Sequence, residues 1–183
     1  MPDEGALIGG REKRSIVVQE WDPTWSARFE QERRRISGAL GPVARRIEHV
    51  GSTSVTGLSA KPIVDIQLSV DDVDDEASYV GPMEEAGYVL RVRERGHRML
   101  RTPDLGVHIH VCATGGDWER RHLLFRDWLR RSSEDRARYA AVKRLLTRRR
   151  WDDMNDYADA KNAVIEEITV RAESWATAVG WFP

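Results

Sequence analysis

A chain of 183 residues, 40% hydrophobic and 32% charged with a net charge of −1, fits one domain that buries a core without staples, and its composition excludes a disordered chain. The lone cysteine, Cys112, excludes an internal disulfide. No apolar run reaches the roughly 18 residues of a membrane span, and residues 1–13 lack the apolar centre of a signal peptide, so a cytoplasmic protein without a membrane partner is expected.

Residues 1–13 are Gly-rich and charged and read as a mobile tail ahead of a single domain over residues 14–183. Residues 15–20 (SIVVQE) suggest a short strand. Asp22-Pro23 then breaks the chain, and Thr24 is the expected N-cap of a helix to about residue 40, with Trp25, Phe29 and Ile36 facing inward. After Gly41-Pro42, residues 45–50 read as a strand, followed by a loop of small residues, GSTSVTGLSAKP. Residues 63–70 are β-branched, continuous and bounded by Pro62 and Asp71, which predicts a strand. A helix is expected over 73–87, with Gly81-Pro82 as a point of interruption. Residues 88–92, 97–101 and 107–112 read as three strands of an antiparallel meander. Helices are expected over 117–131, 133–150 and 154–179. Strands first and helices last give an α+β or mixed α/β fold.

Two strands carry polar residues on one face. Strand alternation puts Val64, Ile66, Leu68 and Val70 on one side of residues 63–70, and Asp65, Gln67 and Ser69 on the other. In residues 107–112, Val107, Ile109 and Val111 oppose His108, His110 and Cys112. If the strands are neighbours, Asp65, Gln67, His108 and His110 converge. A carboxylate with two imidazoles can hold a divalent metal or move protons. A hydrogen-bonded outer sheet face is the alternative.

The helices show similar exceptions. His122 interrupts the stripe Trp118, Phe125, Leu129, with Arg121 beside it. Lys161 interrupts the stripe Tyr157, Ile165, Ile168, Ala172, Trp175. A lysine there snorkels, pairs with an acid, or faces a cavity holding an anion. Residues 71–85 are acidic and 118–150 strongly basic, a field that attracts an anionic ligand or simply marks two solvated faces. Gly51-Ser52 follows a strand end, thirteen residues before Asp65. A glycine lets backbone N–H groups approach a phosphate, Ser52 adds a hydroxyl, and Lys61 adds charge. His49 precedes this loop and is a candidate to line the site. His97 has no special context, Cys112 reads as buried and inert, and Trp181-Phe182 either folds back or meets a second subunit, so monomer and homodimer are both open.

The stretch IEHVGSTSVTGLSAKPIVDIQLSV resembles the signature of the GrpB family, a branch of the nucleotidyltransferase superfamily. VVQEWDPTWSARFEQE, VHIHV, WERRHLLFRDWLR and YADAK extend the resemblance over residues 16–172. It implies a nucleotidyltransferase-like mixed sheet flanked by helices, with a helical C-terminal third. It implies that the Gly-Ser loop, Gly51, Ser52 and Thr53, holds nucleotide phosphates as in active superfamily members. On the reading of the residues, Lys61, Arg121, His122 and Lys161 would neutralise phosphate charge, Asp65 would bind a divalent metal, and His108 or His110 would serve as metal ligand or base. Gln67, His49 and Tyr157 would line the site.

Active members of the superfamily pair two carboxylates as Asp-x-Asp or Asp-x-Glu and add a third from a neighbouring strand. This chain has Asp65-Ile66-Gln67 and, on the later strand, His108 and His110. Mg²⁺ prefers carboxylate oxygens, whereas imidazoles suit Zn²⁺, Mn²⁺ or another transition metal. Three functions follow as expectations: transfer of a nucleotidyl group from a nucleoside triphosphate to a small molecule or protein, a repurposed Asp/His metal enzyme acting on a small anionic metabolite, or a non-catalytic nucleotide-binding module. Nucleic acid is the weakest partner, because Arg148-Arg149-Arg150 comes with no recognition motif.

Overall fold

The computed structural model describes residues 6–8, 10, 16–151 and 154–183. The elements are β1 (Ala6–Leu7), α1 (Thr24–Leu40), β2 (Arg46–Val50), β3 (Val64–Val70), α2 (Val80–Glu85), β4 (Val89–Glu94), β5 (His97–Arg101), β6 (Val107–Ala113), α3 (Asp117–Arg131), α4 (Ser133–Leu146), α5 (Met154–Asp159) and α6 (Asn162–Val179). The strands form one mixed sheet in the order β1-β4-β5-β6-β3-β2. The central pair, β3 and β6, is parallel, and all other neighbours are antiparallel. This is the mixed α+β architecture expected from the order of elements.

One face of the sheet is apolar and makes the main core. Val64, Ile66, Leu68 and Val70 of β3 meet Val107, Ile109 and Val111 of β6, and α1 covers them with Trp25, Ile36 and Leu40. Burial of these side chains drives the packing of α1 on the sheet. The opposite face carries the polar residues of β3 and β6, and the C-terminal helices lie beyond it. Val55 and Leu58, from the loop between β2 and β3, are buried among Leu129, Tyr139, Ala140, Val164 and Ile168. The small-residue loop is thus held by the helical layer rather than lying open.

Several boundaries differ from the sequence expectation. Among the described part of residues 15–20, only Gln19 pairs, in an isolated bridge with Ala60. Thr24 is the first helical residue rather than the cap, and the Asp22 carboxylate accepts its N–H at 2.8 Å. Residues 73–87 contain a single 3-10 turn over Glu76–Ser78 and the short α2. Pro82 lies in the first turn of α2, where a missing N–H costs no helical bond, so it starts the helix instead of breaking it. The last expected helix is two, α5 and α6, with Lys161 as the N-cap residue of α6. Ala6 and Leu7 of the expected tail pair with Arg93 and Val92 of β4. Most of the rest of that segment falls outside the described residues. Trp181 folds back, donating its indole N–H to Asp127 at 3.2 Å, while Phe182 is exposed. Among the described residues, no helix is long and apolar enough to cross a membrane.

Candidate functional site

Parallel register brings the polar residues together. Asp65 lies beside His108 and Gln67 beside His110, and alternation turns Asp65, His108 and His110 to one face. Oδ1 of Asp65 is 3.7 Å from Nδ1 of His108 and 3.6 Å from Nε2 of His110. These separations exceed hydrogen-bond length. They match the roughly 3.4 Å between ligand atoms sharing a tetrahedral ion with bonds near 2.1 Å. One donor atom from each residue lies within 4.8 Å of the others. Two imidazoles with one carboxylate suit Zn²⁺, Mn²⁺ or Fe²⁺ and leave positions open for a substrate. Burial works to raise the Asp65 carboxyl, but His110, His108 and Lys61 around it outweigh this and hold it at about 2. It is an anion throughout the physiological range.

The turn after β2 closes on this carboxylate. Gly51 has φ +67, and a side-chain carbon there would lie 2.5 Å from Oδ2 of Asp65. Ser52–Ser54 then form a 3-10 turn, tied by the Ser54 hydroxyl donating to the Gly51 carbonyl at 2.6 Å. Two arginines of α3 clamp the loop from behind. Arg130 donates to the Ser54 carbonyl, and Arg126 to Glu48 and the His49 carbonyl.

A cavity of about 690 Å³ opens over the site. Its wall includes Lys61, Lys143 and Lys161, with Arg121 also lining it. Lys143 is buried, and its ammonium donates to the Ser52 hydroxyl at 2.8 Å and to the Ser59 carbonyl at 2.5 Å. Burial, with the charges of Lys161, Arg144 and Lys61, pulls it down to about 7, against the opposite effect of Asp65. Burial and Lys61 likewise bring Lys161 to about 8. Lys61 and Lys161 both stand over the ring of buried Tyr157, at 5.1 and 4.9 Å, and the Tyr157 hydroxyl has no hydrogen-bond partner among the described residues. Cations gathered in a desolvated wall favour an anion between them.

Comparison with known proteins gives the lineage. The family model for GrpB protein matches residues 15–171. The chain belongs to the GrpB family. A UPF0157 protein of Streptomyces coelicolor is 49% identical over 91% of this chain and 89% of its own length. A crystal structure of the conserved protein GrpB from Enterococcus faecalis superposes with a TM-score of 0.76 at 30% identity, covering 87% of this chain and 99% of that one. A dephospho-CoA kinase of Mycolicibacterium paratuberculosis is 30% identical over 88% of this chain but 47% of that protein.

In this GrpB-family chain the cavity collects Gly51, Ser52, Thr53, Lys61, Asp65, His108, His110, Arg121, His122, Tyr157 and Lys161. Two expected lining residues stand elsewhere. His49 falls on the α1 side of β2, stacked on Phe29 at 4.9 Å, because it alternates with Glu48 and Val50. Gln67 is fully buried, and its Oε1 has no partner among the described residues. The Thr53 hydroxyl is taken up by His49 Nε2 at 2.9 Å. His122 donates Nδ1–H to the Trp118 carbonyl at 2.8 Å, with its ring stacked on Trp118. Burial pulls its pKa to about 4, so at neutral pH Nε2 is an acceptor rather than a donor to phosphate. Sequence reasoning missed Lys143 and His97. Lys143 shares the spacing of buried Tyr139 and Leu146 on α4, the same interruption of an inward stripe that marked Lys161. His97 gains its context only from the pairing of β5 with β6.

Proposed function

We propose that the protein is a metal-dependent enzyme acting on a phosphate-bearing small molecule of nucleotide size, with one divalent transition ion on Asp65, His108 and His110. The observation that carries this reading is one cavity holding both that ligand set and three lysines. Its volume of about 690 Å³ suits a small-molecule site. Lys61, Lys143 and Lys161 hold the phosphate charge, Ser52 offers a hydroxyl, and Gly51 lets the backbone come close to the ligand. Such an ion, when bound, polarises a phosphoryl oxygen and acidifies a bound water. His122 accepts a hydrogen bond from the ligand through Nε2. A relative of which this chain spans 47% is named dephospho-CoA kinase, a name consistent with a phosphate-bearing ligand.

Nucleotidyl transfer is the second reading, favoured by the fit of Gly51 against Asp65, with Ser52 beside it in the cavity wall. Two-metal chemistry asks for further carboxylates. Gln67 supplies none, and the other acid among the described lining residues is Asp117.

Thermal shift of metal-stripped protein tests both. A transition ion that stabilises the protein, is lost in Asp65→Ala, and augments the response to a phosphate-bearing ligand is the expected result. At a hundred times its dissociation constant a ligand adds about 2.7 kcal/mol. A response only to a nucleoside triphosphate with Mg²⁺ would shift the assignment to the second reading. No response to any metal would overturn the metal-dependent one. Binding without turnover would make the protein a nucleotide-binding module.

A further inference from the structure

A line of polar contacts runs from the ligand set along the sheet to its solvent side. The turn Arg95-Gly96, with Gly96 at φ +70, sets Glu94 of β4 opposite His97 of β5. Nδ1 of His97 lies 3.2 Å from Oε2 of Glu94, and Nε2 of His97 lies 3.1 Å from Nδ1 of His110. The His97 and His110 rings stack at 5.3 Å, and each also stacks on Trp118. Packing thus fixes both imidazole planes. Nε2 of His110 is left facing Asp65, 3.6 Å from Oδ1.

The order of protons along this line follows from its outer end. An ionised carboxylate only accepts hydrogen bonds, so Glu94 takes the proton on Nδ1 of His97. Neutral His97 then has a lone pair on Nε2, which accepts from Nδ1–H of His110. With its proton on Nδ1, His110 keeps a lone pair on Nε2. The reverse order would give up the 3.2 Å hydrogen bond to Glu94 and aim Nε2–H of His110 at Oδ1 of Asp65 across 3.6 Å, beyond hydrogen-bond length.

We propose that Glu94 and His97 are positioning residues that hold His110 as its Nδ1–H tautomer, so that Nε2 presents a lone pair to an ion shared with Asp65. The role of the ion rests on the metal-dependent reading above, whereas the tautomer rests on the contacts alone. A lone pair and a carboxylate oxygen facing each other beyond hydrogen-bond length form an arrangement that a shared cation relieves. Outer partners of this kind orient a ligating imidazole and raise its basicity.

The test uses metal-free, ¹⁵N-labelled protein at pH 8, with long-range ¹H–¹⁵N correlations reading each imidazole nitrogen. His110 is expected to be protonated on Nδ1. His97→Phe keeps a ring for the stack but removes both hydrogen bonds. It should mix the two tautomers and weaken Co²⁺ binding at least tenfold, the usual size of an outer-partner effect. His97→Gln can accept from His110 through its amide oxygen and donate to Glu94 through its NH₂, so it should restore most of both. His110 protonated on Nε2 in the unaltered protein would overturn the proposal. So would a His97→Phe protein with the same tautomer and the same Co²⁺ affinity. Unaltered protein that shows the expected tautomer yet binds no Co²⁺ would support the tautomer assignment and overturn the metal-dependent reading instead.

Discussion

A side-chain carbon on Gly51 would meet Oδ2 of Asp65 at 2.5 Å, so the turn after β2 fits against the carboxylate of β3 only with glycine at that position. The backbone of Gly51 also stands at φ +67, a conformation that alanine adopts at a cost. Gly51→Ala is therefore expected to lower stability by about 1 kcal/mol or more and to displace the carboxylate. Chemical denaturation reads the first effect, and loss of the metal-induced thermal shift reads the second. A variant that keeps both stability and metal response would show that loop and carboxylate are not coupled.

Lys143 predicts how stability changes with pH. Its ammonium falls from the ordinary 10.5 to about 7 on folding, through burial and the neighbouring Lys161, Arg144 and Lys61. Between those values the unfolded chain holds the proton and the folded one does not. The folded state is therefore penalised in full below about pH 7, and the penalty fades as pH rises toward 10.5. Lys143→Met should be more stable than the parent at pH 6, by on the order of 1–3 kcal/mol after its lost hydrogen bonds are counted. It should also flatten the rise in stability between pH 7 and 10. Urea denaturation at pH 6, 8 and 9.5 checks this, and a parent protein with no such rise would contradict the assignment.

An anion in the lysine wall reverses that shift. A phosphate group beside Lys143 favours its charged form, as it does for Lys161, which burial and Lys61 hold at about 8. Binding at pH 8 should therefore take up protons, approaching one for Lys143 alone. Calorimetry of inorganic pyrophosphate binding in buffers of different ionisation enthalpy measures the number directly. Lys143→Met should lower the uptake and weaken binding about tenfold, the effect of losing roughly 1.4 kcal/mol. Equal uptake in parent and variant would remove Lys143 from the anion site.

The sequence made much of this legible because strand alternation is a strict rule. Alternation puts Asp65 on one face of its strand and His108 with His110 on one face of theirs, and the parallel pairing of β3 with β6 joins the two faces. His49 misled because its position next to the loop says nothing about which face of β2 it occupies. Gln67 shares the face of Asp65, yet it is fully buried instead of lining the cavity. Lys143 and His97 were less visible for different reasons. A lysine in an arginine-rich helix looks solvated until the helix is packed, and a histidine on a hairpin has no partner until the next strand is laid beside it. The break between α5 and α6 was hidden by an unbroken inward stripe, since Tyr157 and Ile165 keep their phase across Lys161.

Tyr157 separates ligand binding from stability. Its buried ring lies under the ammonium groups of Lys61 and Lys161, and its hydroxyl has no hydrogen-bond partner among the described residues. A buried hydroxyl without a partner costs about 1–3 kcal/mol, while the ring keeps its attraction for the two cations whether or not it carries oxygen. Tyr157→Phe should thus leave the ligand-free protein as stable as the parent or raise its denaturation midpoint. If the hydroxyl meets a phosphate oxygen in the complex, the same change weakens anion binding while stability holds or improves. Titration of pyrophosphate into both proteins, beside their denaturation curves, makes the comparison. A Phe variant that loses stability and keeps full affinity would mean that the hydroxyl serves the fold and not the ligand.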